Sequence, residues 1–143
     1  GTDEKEGDDD QWPEIYKKLQ AADIFVFATP VWWGTHSSLI QGAIERLDVV
    51  HDEILEGKTS KLAGKPGGVV VTGDGDGAEH IIGTLANFYN AVGMILPPYA
   101  SLSVLWEGHD KKKSPTREEL WAKYEKEYAD AAKTMAQQLI KYA

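Results

Sequence analysis

The chain has no cysteine among its 143 residues. A disulfide, a thiolate metal site, an iron–sulfur ligand and a thiol nucleophile are therefore excluded within it. Positive charge is also scarce. Fifteen Lys and Arg stand against 23 Asp and Glu, leaving a formal charge of −8. A surface of that sign is repelled by a phosphate backbone, so no nucleic-acid partner is expected. Long apolar runs are missing: none approaches the roughly 18 residues that a membrane span requires. No signal peptide opens the chain. The resulting expectation is a soluble, cytoplasmic protein with no membrane partner.

Local catalytic signatures are missing as well. There is no Gly-x-Ser-x-Gly elbow, no Ser-x-x-Lys and no paired-carboxylate motif. His36, His51, His80 and His109 fall at no metal-binding spacing, and helix capping or surface placement explains each of them. His36 is set apart because it shares a loop with two tryptophans. The sequence offers no strong acid, base or nucleophile of its own, which fits chemistry carried by a bound cofactor.

What is present is an alternation of apolar runs and helical patterns. Gly1 to Gln11 is acidic and reads as a mobile segment. Trp12-Pro13 opens a short helix with Ile15, Leu19 and Ala22 on one face. Ile24 to Ala28 is short, aromatic and uncharged, and reads as a strand buried on both faces that Thr29-Pro30 stops. Ser37 or Ser38 caps a helix carrying Leu39, Ile40, Ala43, Ile44 and Leu47 at helical spacing. His51 to Gly64 reads as a charged loop anchored by Leu55 and Leu62. Gly67 to Gly73 is a second buried strand, and Ala78 to Val92 a helix that Gly93 stops. Met94 to Trp106 holds a third strand, divided by Pro97-Pro98. Glu107 to Ser114 is a polar loop. Thr116 caps a last helix whose face runs Leu120, Trp121, Tyr124, Tyr128, Ala131, Ala132, Met135 and Leu139. The order α-β-α-β-α-β-α predicts one α/β domain over residues 1–143, with a parallel sheet covered on both faces.

Two loops stand out because each follows a buried strand, where open α/β sheets bind ligands. In the first, Thr29-Pro30-Val31-Trp32-Trp33-Gly34-Thr35-His36, proline and glycine shape a turn and either tryptophan offers an aromatic wall. Backbone N–H groups leading into the helix offer donors to a polar ring edge. Packing or an interface is the other explanation for the tryptophans. In the second, Thr72-Gly73-Asp74-Gly75-Asp76-Gly77, the glycines let the backbone approach a planar ligand. It is neither a Walker loop nor Gly-x-Gly-x-x-Gly, and the two aspartates lack the other ligands of a calcium loop. A flexible turn is the plain alternative.

These loops, the segment Ser38 to Leu47, the Lys65-Pro66 step and Asn87 to Leu96 together resemble the flavodoxin-like NAD(P)H-dependent FMN reductases, in the branch with iron–sulfur flavoproteins and quinone reductases. The resemblance covers roughly Trp12 to Trp106. It implies a three-layer α/β/α sandwich and FMN held by the fourteen residues of the two loops. It also implies electron transfer from NAD(P)H through the flavin to a quinone, flavin or similar small acceptor, and a homo-oligomer. A flavodoxin-type electron carrier or a flavin-free interaction module on the same scaffold are the alternatives. Two departures matter. Nothing here matches the family's first strand and its Ser/Thr-rich phosphate loop, so the chain is expected to carry strands three to five only. The cysteine motif of the iron–sulfur members is missing too.

Overall fold

A computed structural model describes residues 4–73, 75–105 and 115–143. The order of elements is α1 (Trp12–Ala21), β1 (Phe25–Pro30), α2 (Ser38–Leu55), β2 (Gly67–Gly73), α3 (Ala78–Ala91), β3 (Ser101–Leu105) and α4 (Arg117–Tyr142). The three strands form one parallel sheet in the order β1-β2-β3. The register aligns Phe27 with Val69 and Val69 with Ser101. This is the expected α/β alternation with a parallel sheet.

One face of the sheet carries the main core. Phe25 and Phe27 of β1 and Val69 and Val71 of β2 meet Trp12 and Tyr16 of α1, Leu47 and Val50 of α2, and Ile81, Leu85 and Tyr89 of α3. Each fully buried aliphatic side chain contributes roughly 1.5–3 kcal/mol, so this face dominates stability. The opposite face is thinner: Met135 and Leu139 of α4 cover Ala100, Val70 and Leu102. Two adjacent glycines make room for both layers. A Cβ on Gly67 would lie 2.7 Å from the Tyr89 ring, and one on Gly68 would lie 2.6 Å from Met135 Cε. The Tyr89 hydroxyl donates to Gly68 O at 2.8 Å, which satisfies the one polar atom of a fully buried ring.

Several expectations need correction. β1 is not buried on both faces: Phe25, Phe27 and Thr29 are buried, while Val26, Ala28 and Pro30 are exposed. Helix α4 lies over β2 and β3 and leaves this side of β1 open. Thr29-Pro30 does not stop the strand either, because Pro30 pairs with Thr72. Proline is tolerated there since it sits on an edge strand. In α1 the buried residues are Trp12 and Tyr16, whereas Ile15 is exposed. Helix α2 continues to Leu55, so residues 51–55 are helical and Leu55 is exposed; only Leu62 anchors the loop. Leu39 faces solvent in the first turn of α2. In α4 the exposed Trp121, Ala131 and Ala132 leave Met135 and Leu139 as the buried contacts. The expected polar loop Glu107–Ser114, with His109, lies outside the described residues.

Capping follows the sequence closely. Ser37 Oγ accepts from Ile40 N at the start of α2. Thr116 and Glu119 form a reciprocal capping box on α4, through Glu119 N to Thr116 Oγ1 at 3.2 Å and Thr116 N to Glu119 Oε2 at 2.8 Å. Lys65 reaches back across the core to the end of α1, donating from Nζ to Gln20 O and Ala22 O at 2.5 and 2.6 Å. A cation there complements the negative end of the helix.

Candidate functional site

Parallel pairing places the carboxyl ends of β1 and β2 side by side, so the two loops singled out from the sequence leave the sheet at the same edge. Val31 N donates to Thr72 O at 2.9 Å, extending the ladder one step past β1. Beyond that point the first loop folds on itself. Trp32 N donates to Thr35 O at 2.8 Å and Thr35 N to Trp32 O at 3.0 Å. Trp33 and Gly34 sit at the tip with φ of 50° and 76°. Two consecutive positive φ values define the mirror-image turn that reverses a chain in two residues. Glycine suits the second position; a tryptophan at the first costs about 1–2 kcal/mol.

The side chains of this loop divide into two sets. Thr29 is buried, and its hydroxyl accepts from Ser37 N at 3.0 Å while donating to Pro30 O at 3.0 Å. That bond ties the end of β1 to the start of α2. His36 is buried beside it, with Nδ1 3.3 Å from Ser37 O. Trp32 and Trp33 point the other way, at 61% and 101% exposure. Burial of the base and exposure of the tip leave a rigid stem that presents two indole rings.

The second loop meets the first through backbone. Gly77, at φ 107°, lies so close to Gly34 that a Cβ on it would be 2.4 Å from Gly34 Cα. Gly73, at φ 129°, approaches Val31 N, with 3.4 Å to a hypothetical Cβ. Thr72 is exposed on the α4 side of the sheet, and Gly75 and Asp76 are exposed between the loops' outer ends. Asp74 lies outside the described residues. The backbone N–H groups of Trp33, Gly34, Gly75, Asp76 and Gly77 donate to no described residue. These groups lie in the two loops that lead into α2 and α3, next to the exposed indole rings of Trp32 and Trp33. N–H groups that precede a helix can hold an electron-rich polar ring edge. Among the described residues, no group of three or more His, Asp or Glu could hold a metal ion.

The sequence alone missed the Gly34–Gly77 contact, since it joins residues 43 apart and carries no local signature. It also missed that Leu105 of β3 comes near the second loop, its Cδ1 lying 4.0 Å from a hypothetical Cβ on Gly75.

A parallel sheet of three strands joined by crossover helices gives a flavodoxin-like α/β fold. The chain belongs to the NADPH-dependent FMN reductase family, whose model matches residues 1–105. It is 33% identical over 98 residues to 8-demethyl-8-aminoriboflavin-5'-phosphate synthase of Streptomyces davaonensis, covering 68% of this chain and 38% of that protein. It is 31% identical over 98 residues to a protein of Mycobacterium bovis named divalent metal cation transporter MntH, of which it covers 14%. A crystal structure of RosB with the bound intermediate 8-demethyl-8-formylriboflavin-5'-phosphate superposes with a TM-score of 0.76 at 24% identity, over 98% of this chain and 54% of that one. The chain thus spans about half or less of the length of these relatives. Among the described residues, no helix is long and apolar enough to cross a membrane.

Proposed function

We propose that this chain builds the ring-edge site of an FMN-dependent oxidoreductase that takes electrons from NAD(P)H and delivers them to a quinone, a free flavin or a similar small acceptor. The observation that carries this reading is the joined pair of loops: Gly34 and Gly77 in backbone contact, open N–H donors around them and Trp33 fully exposed beside them. Family membership supports a flavin-related oxidoreductase and the use of FMN and NADPH. FMN, when bound, supplies the redox chemistry.

The residues present fit that group. Unhindered backbone at Gly34 and Gly75 admits a flat ring, and Trp33 can cover one of its faces. The open N–H groups orient the ring by its carbonyl and nitrogen edge, and donors aimed at that edge stabilise added negative charge. Thr29 and Ser37 act indirectly, by fixing where the loop leaves the sheet. The face of β1 that α4 leaves uncovered, with Val26 and Ala28 exposed, supports association of this chain into a homo-oligomer.

The test is flavin absorbance of the purified protein, followed by steady-state oxidation of NADPH with and without a quinone. Bound flavin with quinone-dependent turnover is expected. Bound flavin without turnover would assign an electron carrier instead, and a protein that binds no flavin would remove the reading altogether.

A further inference from the structure

We propose that the cleft between β3 and the amino-terminal half of α4 is a binding site for a flat, uncharged, two-ring aromatic molecule. This site is separate from the loop rim and does not depend on the flavin reading. Helix α4 is 26 residues long, yet its buried residues, Met135 and Leu139, both lie near its carboxyl end. Its first half stands over β3 and borders an open groove of about 430 Å³, with Tyr124 and Tyr128 half-buried and Trp121 exposed at its rim. That volume lies within the range of small-molecule sites, roughly 300–1,000 Å³.

The lining dictates the shape and charge of the occupant. One wall is the sheet face, through Leu102 and Val104; the other is aromatic, through Trp121, Tyr124 and Tyr128. The three aromatics recur three and four residues apart, which aligns them on one side of the helix. Tyr128 is held in place because its hydroxyl donates to Leu105 O at 3.0 Å. The rings of Tyr124 and Tyr128 pack edge-to-face at 6.2 Å. Alanines at 129 and 132 keep the slot open where larger side chains would fill it. Two apolar walls with small residues between them suit a planar ring system that gains from aromatic contact. Among the described residues of the lining, Glu125 carries the single formal charge, and a carboxylate there disfavours an anionic ligand. The cleft also opens one strand away from the glycine loop, because Val104 and Leu105 pair with Thr72 and Gly73.

The test uses the full chain, menadione as the neutral probe and naphthalene sulfonate as its anionic counterpart, with binding read by ligand-observed NMR and calorimetry. The lack of cysteine removes thiol addition to the quinone as a competing signal. Saturable menadione binding is expected, with the sulfonate at least about tenfold weaker. Ala129→Trp, which fills the slot, should weaken menadione binding by at least about tenfold. Ala131→Trp, on an exposed position of the same helix outside the cleft, should leave it unchanged. Circular dichroism establishes that both variants fold. If Ala129→Trp does not fold, Tyr124→Ala decides, since removing that wall should also weaken binding. No saturable binding, equal affinity for the sulfonate, or parent-like affinity in the deciding variant would overturn the proposal.

Discussion

Gly34 and Gly77 touch through their backbones: a single methyl group added to Gly77 would lie 2.4 Å from Gly34 Cα and 2.6 Å from Gly34 O. The two loops of the candidate site are therefore one unit, and its shape depends on Gly77 having no side chain.

Gly77→Ala should break that unit. The new Cβ meets backbone, which cannot rotate away, and alanine is strained at φ 107°. A loss of at least about 2 kcal/mol is expected, or roughly 2–4 °C of Tm for each kcal/mol. Flavin affinity should fall with it. Gly83→Ala is the matched control, since nothing lies within 4 Å of a Cβ there and the residue is helical. It should stabilise the protein by about 0.5–1 kcal/mol. Thermal melts of the pair check both signs.

Trp33 should show a trade between stability and binding. Its φ of 50° is unfavourable for any residue with a Cβ, and the ring gains no burial in return. Trp33→Gly should raise stability by up to about 1 kcal/mol, the relief of strain being offset in part by backbone entropy. The same change should weaken FMN binding by roughly 1–3 kcal/mol, the scale of a lost aromatic stack. Melting curves and a flavin titration read by fluorescence quenching separate the two effects. Unchanged affinity would remove Trp33 from the site.

The acidic segment should come loose in acid. Asp10 is held at a pKa of about 2, below its ordinary 3.8, by backbone N–H donors from Glu6 and Trp12 and then by Arg46. Arg46 also bonds Glu6 Oε2 at 2.9 Å and Glu4 O at 2.8 Å, and lies 5.3 Å from the centre of the Trp12 ring. A depressed carboxylate pKa contributes stability above the unfolded value and loses it as pH falls through the folded one. Stability should therefore decline between about pH 4 and pH 2. Arg46→Met should narrow that window by moving the Asp10 pKa upward, as followed by NMR titration of its carboxyl.

Tyr89 sets an alkaline limit. Burial pushes its hydroxyl well above the ordinary value of 10.0, so the ring stays neutral in the folded protein while the unfolded chain ionises. A raised folded pKa gives stability that is complete below pH 10 and falls as pH rises beyond it. Tyr89→Phe should cost about 0.5–1.5 kcal/mol at neutral pH, through the lost bond to Gly68 O. It should also flatten the alkaline decline. Denaturant unfolding at a series of pH values from neutral to strongly alkaline tests both statements.

The sequence alone determined the order of the seven elements, the parallel sheet, the helix cap at Thr116 and the edge from which the two loops emerge, and it narrowed the cap of α2 to Ser37 or Ser38, of which the structure uses Ser37. Those features follow from local causes: apolar period, proline and glycine geometry, and side-chain oxygens placed before a helix. It also singled out the two candidate loops, because two tryptophans and a cluster of glycines are costly at a strand end without a compensating role. Only the tertiary structure decided which apolar residues are covered. Leu39 and Ile15 are at helical spacing yet exposed, while Trp12 and Tyr16 are buried. Periodicity shows that a helix has an apolar side; the position of the sheet decides how far that side is used. The open face of β1 at Val26 and Ala28 follows from where α4 lies, which no property of the strand encodes. The contact of Gly34 with Gly77 is of the same kind. Each glycine permits a close approach, but only strand pairing brings the two loops within reach of each other.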